Sequence, residues 1–269
     1  MVDFTRLDAV RQRRPLIHCV NNIVTANDCA NLALAVGASP MMAQAAEEMA
    51  EITAISDATV LNTGTPSVEK FQACLLCGIE AGHRGQPVIL DPVGVGASSW
   101  RLRWAGELQA AFTPAILRVN LGEARALLRL DGGEHGVDSL KTADREERLT
   151  AARKLAARCH TTVLLSGPED VVTNGGNAAI VSGGSGLMSQ VTGAGCMLSV
   201  LCGAFAAVTP SAMEAAVLAS LFWKACSRRA EERAGQGIGS FHMALLDAAS
   251  TMTAAELEQE AAPLILENP

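Results

Sequence analysis

The sequence predicts an α/β fold built as a layered, mostly parallel sheet with helices on both faces. Three observations carry that prediction. Apolar runs of strand length alternate with segments of helical period along most of the chain. Polar residues and glycines cluster just past the strand-like runs, where open sheets of this class place their ligands. Hydrophobic residues make up 49% of the 269 residues, enough for a large core, and this length suits one domain spanning residues 1–269.

The elements follow in order. Residues Met1 to Arg14 are polar and charged, with no apolar segment of signal-peptide length. Leu16 to Val20 reads as the first strand. Ala26 to Val36 carries Ala26, Cys29, Ala30, Ala33 and Val36 at helical period, with Thr25 as N-cap and Gly37 as the stop. Glu47 to Ser56 reads as a helix, Ala58 to Asn62 as a strand, Ser67 to Arg84 as a helix, and Val88 to Asp91 as a strand closed by Pro92. Trp104 to Phe112, Ala115 to Val119 and Leu121 to Leu130 repeat the unit as helix, strand and helix. A polar, Gly-containing loop is expected from Asp131 to Ser139, then a long charged helix from Lys141 to Cys159. Thr162 to Leu165, Asp170 to Thr173 and Ala178 to Val181 are strand-like, and Asn174-Gly-Gly-Asn177 is a hairpin signal, so an antiparallel edge is expected. Cys196 to Val208 is almost wholly small or apolar, the pattern of a helix buried on most sides. Ser211 to Ala234 and Phe241 to Ala249 complete the helices.

Composition narrows the function classes. Net charge is −7 with a pI near 5.3, and no run of Lys and Arg is interleaved with aromatics, which argues against a nucleic-acid partner. No stretch reads as a membrane span, so a soluble, cytoplasmic protein without a membrane partner is expected. Charged residues are only 18%, against about 25% in typical domains, which points to surface covered by other subunits. The eight cysteines lie within apolar patterns and suit reduced thiols. Cys74-Leu-Leu-Cys77 lacks a second ligand pair and reads as two thiols on one buried helix face.

Four strand ends carry candidate chemistry: Asn62-Thr-Gly-Thr65, Asp91-Pro-Val-Gly-Val-Gly96, Asn120-Leu-Gly-Glu123 and Ser166-Gly167. A fifth segment, Val191-Thr-Gly-Ala-Gly-Cys196, precedes the buried helix. Gly193, Ala194 and Gly195 let backbone approach a ligand at a helix N-terminus, which makes an anion hole for a transferring phosphoryl group. The plain alternative is a glycine turn before a core helix. Neither a Walker pattern nor a Gly-x-Gly-x-x-Gly after the first strand is present. Asp91 and Glu123 are candidates to hold Mg²⁺ through water, the alternative being that both cap helices or turns. Arg118 suits phosphate contact better than a surface ion pair. Asn22, just past the first strand, is placed for substrate contact. His18 reads as a core histidine. Met41 and Met42, expected in a loop after Pro40, suit either a flat ring or simple core filling. Glu231, Glu232 and Arg233 read as a solvated helix face.

These segments, with Pro15-Leu-Ile-His-Cys-Val-Asn-Asn22, Gly37-Ala-Ser-Pro-Met-Met42 and Gly237-Ile-Gly-Ser-Phe241, run in order over nearly the whole chain. In that order the sequence resembles the hydroxyethylthiazole kinases of thiamine salvage, members of the ribokinase-like superfamily. The resemblance implies that ATP phosphorylates 4-methyl-5-(2-hydroxyethyl)thiazole with Mg²⁺, in a homotrimer whose sites lie between neighbouring subunits. It implies that Met42 and Gly193 contact the thiazole, on the side that also carries Asn22, Gly64 and Thr65, and that Arg118, Ser166 and Asn120 lie on the ATP side. Ser166 stands where family members often have Thr. Most of the wider superfamily ends the glycine motif in Asp, whereas this chain has Cys196, a poor base unless the helix lowers its pKa. Two other readings are a kinase for hydroxymethylpyrimidine, which the absent Asp argues against, and a non-catalytic nucleotide-binding regulator, which the full polar set argues against.

Overall fold

A helix that follows a strand can carry the chain back to the end where that strand began, so that the next strand runs parallel to it. A computed structural model describes residues 2–129, 144–261 and 264–267. The expected Asp131 to Ser139 loop lies outside these residues. The elements are α1 (Arg6–Arg13), β1 (Leu16–Val20), α2 (Ala26–Val36), β2 (Ser39–Met41), α3 (Met49–Ile55), β3 (Ala58–Asn62), α4 (Val68–Arg84), β4 (Val88–Asp91), α5 (Ser99–Ala111), β5 (Ile116–Asn120), α6 (Leu121–Leu128), α7 (Arg145–Cys159), β6 (Thr162–Ser166), β7 (Asp170–Thr173), β8 (Ala178–Val181), α8 (Ala194–Ala206), α9 (Ala212–Ala234), α10 (Ile238–Thr251), α11 (Ala254–Glu260) and β9 (Leu264–Glu267).

The strands form one sheet in the order β2-β1-β3-β4-β5-β6-β7-β8-β9. Pairing is parallel from β2 to β6 and antiparallel from β6 to β9. The chain thus has the layered α/β architecture expected, including the antiparallel edge. Alternation along the strands sorts side chains to two cores. Ile17, Val60, Ile89 and Ile116 pack toward α2, α8, α9 and α10. Val20, Leu61, Leu90 and Leu117 pack toward α4, α5, α6 and α7. Helix α8 is buried from Cys196 through Ala206. It lies directly on β3, where a Cβ at Gly203 would stand 2.8 Å from Val60 Cγ2.

Several expectations need correction. Met41 ends the short strand β2 beside β1, not a loop, and Pro40 is tolerated there because β2 is an edge strand. The expected Glu47 helix opens as a 3₁₀ turn, Ala46–Glu48, before α3. Helix α5 starts at Ser99, well before Trp104, because the Ser98 hydroxyl accepts from the Arg101 N–H at 3.2 Å. Thr25 sits at the N-cap of α2 but makes no side-chain cap bond. Helix α8 starts at Ala194, so Ala194, Gly195 and Cys196 form its first turn. Helices α1 and α11 and strand β9 were not foreseen: α1 buries only Leu7 and Val10, too thin a stripe to read as periodic. Among the described residues, no helix is long and apolar enough to cross a membrane.

Candidate active site

Parallel register aligns the carboxyl ends of the central strands. Asn62 pairs with Asp91 across β3 and β4, and Asn120 pairs with Ser166 across β5 and β6. Asp91 is fully buried. Its Oδ2 accepts from Asn62 Nδ2 at 2.9 Å and Ser199 Oγ at 2.8 Å, and its Oδ1 lies 3.3 Å from Arg118 Nη1. Burial pushes the Asp91 carboxyl up to about 6; Arg118 opposes that push and Glu123 adds to it. Arg118 also donates from Nη2 to Ser166 Oγ at 2.7 Å. Burial works against the Arg118 charge, but Asp91 and Glu123 outweigh it and hold its pKa above the ordinary value. Arg118 is therefore neither in a surface ion pair nor free: it is a buried cation linking β4, β5 and β6.

The glycine motif meets this cation. Gly193 has φ +84°, a left-handed conformation, and a Cβ there would stand 2.5 Å from Thr25 Cγ2. At Gly195 a Cβ would overlap the Arg118 guanidinium, so bare backbone lies against the charge. Trp223 of α9 donates from Nε1 to the Ala194 carbonyl at 3.0 Å and steadies the turn. The N–H groups opening α8 have no acceptor earlier in the helix, and the helix dipole is positive there.

Beside the motif lies a set of small polar contacts. Asn22 Nδ2 donates to Asn62 Oδ1 at 3.0 Å and to Cys196 Sγ at 3.3 Å. The Gly64 N–H donates to Asn62 Oδ1 at 2.9 Å. Burial, with the nearby Asp91 charge, raises the Cys196 thiol above its usual pKa, although the polar groups of Thr25 and Asn62 nearby favour the thiolate. The raised pKa keeps the thiol protonated at neutral pH. Thr65 sits at φ +44°, rare for a residue with a Cβ, and its Oγ1 accepts from the Ile23 N–H at 3.3 Å. Lys70 donates to the Gly64 carbonyl at 2.6 Å, and burial lowers its pKa to about 8.

Among the described residues, three expected ones share none of these side-chain hydrogen bonds. Met42 is half-buried against the core to which α2, α8, α9 and α10 contribute. Its loop is tied to β1 by His18 Nε2 and the Ala43 carbonyl at 3.1 Å, and by Gln44 Nε2 donating to the Asn21 carbonyl at 3.1 Å. His18 is buried, as a core histidine should be. Asn120 and Glu123 form a capping box on α6, with Asn120 Oδ1 accepting from the Glu123 N–H and Glu123 Oε2 from the Asn120 N–H, each at 2.9 Å. Glu123 Oε1 accepts from the Gly94 N–H, also at 2.9 Å. The capping alternative therefore describes Glu123 and not Asp91. Among the described residues no three His, Cys, Asp or Glu gather as a metal cluster.

Sequence reading missed Ser199, Trp223 and Lys70. Ser199 was findable, as the one hydroxyl in the Cys196 to Val208 run. Trp223 and Lys70 carried no local signal, because their partners lie on other elements.

Known proteins place this arrangement. The model of the hydroxyethylthiazole kinase family matches residues 7–255. The hydroxyethylthiazole kinase of Nitratidesulfovibrio vulgaris (strain DSM 19637 / Miyazaki F) is 44% identical over 251 residues, covering 93% of each chain. A structure of the hydroxyethylthiazole kinase protein from Pyrococcus horikoshii OT3 superposes with a TM-score of 0.90 at 34% identity, covering 98% of each chain. The pyridoxal kinase of Staphylococcus aureus in complex with ADP, with a TM-score of 0.60 at 15% identity over 80% of this chain and 87% of that one, shares the ribokinase-like fold alone. Since both the family model and these relatives span nearly the whole length, with every strand-end motif inside the match, the chain belongs to the hydroxyethylthiazole kinase family.

Proposed function

We propose that this chain transfers the γ-phosphoryl group of ATP to the primary alcohol of 4-methyl-5-(2-hydroxyethyl)thiazole, the reaction of thiamine salvage. The observation that carries this reading is the Gly195 backbone lying against the Arg118 guanidinium at the start of α8. A helix N-terminus and a buried cation there converge on one point, which suits a phosphoryl group whose charge spreads over its oxygens. Gly193, Ala194 and Gly195 form the cradle. Arg118, Ser166 and Asn120 lie on the ATP side. Asn22, Gly64, Thr65 and Met42 lie on the alcohol side, with Gly193 between the two. Cys196 orients the hydroxyl and is a base only secondarily.

Asp91 and Glu123 would hold Mg²⁺ through water. The donor chemistry fits: both are carboxylates, the hard oxygen donors that Mg²⁺ takes, and holding the ion through water leaves in place the hydrogen bonds that Asp91 and Glu123 already accept. Magnesium would neutralise phosphate charge there. A homotrimer is supported by the apolar Ile23 and Val24, 83% and 62% exposed beside Thr65, which a neighbouring copy would cover. The trimer is measured by sedimentation equilibrium, where a monomer would overturn it. A cytoplasmic location follows from dependence on ATP. The reaction is tested by following ADP release with and without acceptor. Turnover that appears only with the thiazole alcohol is expected, whereas turnover with hydroxymethylpyrimidine instead, or with no acceptor, would reject it.

A further inference from the structure

The turn after β6, Ser166-Gly167-Pro168-Glu169, is gripped from two helices. From α7, Arg148 Nη2 donates to the Leu165 carbonyl at 3.3 Å and the Glu169 carbonyl at 2.9 Å, and a Cβ at Gly167 would overlap its guanidinium. From α9, Lys224 Nζ donates to the carbonyls of Gly167 at 3.3 Å, Pro168 at 3.1 Å and Gly183 at 3.2 Å. Lys224 Nζ also lies 3.5 Å from Asp170 Oδ1. Asp170 in turn accepts the Gly167 N–H at 2.8 Å and the Ser220 hydroxyl at 2.7 Å.

Lys224 is only 9% exposed. A buried ammonium persists only when its three donors find acceptors and its charge a partner, and here both conditions are met. The acceptors come from the β6–β7 turn, from β7 and from the segment after β8. One cation therefore sets the relative positions of three chain segments at the edge of the site.

The arrangement also has an electrostatic result. Three carbonyl oxygens and a carboxylate form a negative cluster, which would repel a polyanionic nucleotide if it faced one. The ammonium turns those oxygens toward itself and offsets the Asp170 charge.

We propose that Lys224 is a positioning residue for the nucleotide, holding the Ser166–Gly167 turn, and through it the Arg118–Ser166 contact, in the form that accepts ATP. The proposal rests on the reading that Ser166 and Arg118 face ATP. It is tested by steady-state kinetics on full-length Lys224→Gln, Lys224→Met, Lys224→Ala and Ser166→Ala, each checked for fold by circular dichroism. Loss of a charged hydrogen-bonding group predicts a rise in the KM for ATP of about tenfold or more in the Gln and Met variants. The KM for the thiazole alcohol stays near the wild-type value. Methylammonium added to Lys224→Ala restores part of the ATP KM, because it supplies the missing cation.

A parallel rise in both KM values, or loss of fold in all three Lys224 variants, marks a purely structural role and overturns the proposal. If Ser166→Ala raises the KM for ATP while Lys224→Gln does not, the Lys224 proposal falls and the reading beneath it stands. If Ser166→Ala leaves the KM for ATP unchanged, that reading falls and the proposal with it.

Discussion

Cys196 closes the glycine motif, and its surroundings keep it a thiol. Burial and the Asp91 charge both raise its pKa, so little thiolate exists at neutral pH. Phosphoryl transfer through a loose transition state depends mainly on positioning and charge neutralisation, so a weak base suffices. Cys196→Ala is expected to keep measurable activity, and Cys196→Asp to raise it. A Cys196→Ala chain that binds ATP normally yet shows no turnover would overturn this. The neighbouring Gly195 behaves differently. An alanine there would push the Arg118 guanidinium out of place, so Gly195→Ala is expected to lower kcat by about 100-fold, the scale of losing one preorganised donor to a developing charge. A kcat close to wild type would show that the glycine and arginine do not act together.

At the scale of elements, ends matter more than middles. Helix α11 is short and holds through its capping box, in which Thr253 N–H donates to Glu256 Oε2 at 2.7 Å and Glu256 N–H to Thr253 Oγ1 at 3.2 Å. The bonds from the Thr253 backbone and hydroxyl, then from Arg229 of α9, hold the Glu256 pKa down to about 2. A carboxyl whose folded pKa is depressed stabilises the fold above its ordinary value, 4.5, and loses that contribution as pH falls through the folded pKa. Glu256→Gln is therefore expected to lower Tm at pH 7, with the difference closing as pH drops toward 2. A difference that is constant across that range would assign the loss to packing. The Thr-x-x-Glu pattern of this box is a local signal in the sequence, although the helix it opens was not foreseen. Strand β2 was not, since three residues carry no period and only pairing with β1 makes them a strand.

At the scale of the whole molecule, the eight free cysteines act together. Burial raises every one of their thiol pKa values, to about 12 for Cys29 and Cys74 and about 11 for Cys77. A group with a raised folded pKa contributes stability that is complete below the unfolded value, 9.0, and is lost as pH rises through the folded one. Unfolding free energy is expected to fall above about pH 9, by about 1.4 kcal/mol per pH unit for each thiol that ionises only on unfolding. Lys70, whose pKa is lowered to about 8, opposes this between there and 10.5. Urea unfolding under reductant from pH 8 to 10.5 measures the slope, and Cys226→Ala should make it shallower. A flat profile would mean that the thiols ionise in the folded state.

The amino-acid sequence alone sufficed for the layered α/β class, for the strands that carry the site and for the ordered motifs at their ends, because side-chain period and turn residues are local properties of the chain. The β7–β8 hairpin was equally legible from its Asn-Gly-Gly-Asn turn. Tertiary structure decided which of those motifs act together. Arg118 finds Asp91, Ser166 and the backbone of Gly195, and Lys224 finds Gly167, Pro168 and Gly183, only because parallel register and the packing of α8 and α9 bring distant segments within hydrogen-bond range. Long-range pairing of buried charges depends on three-dimensional proximity, and no spacing along the chain encodes it.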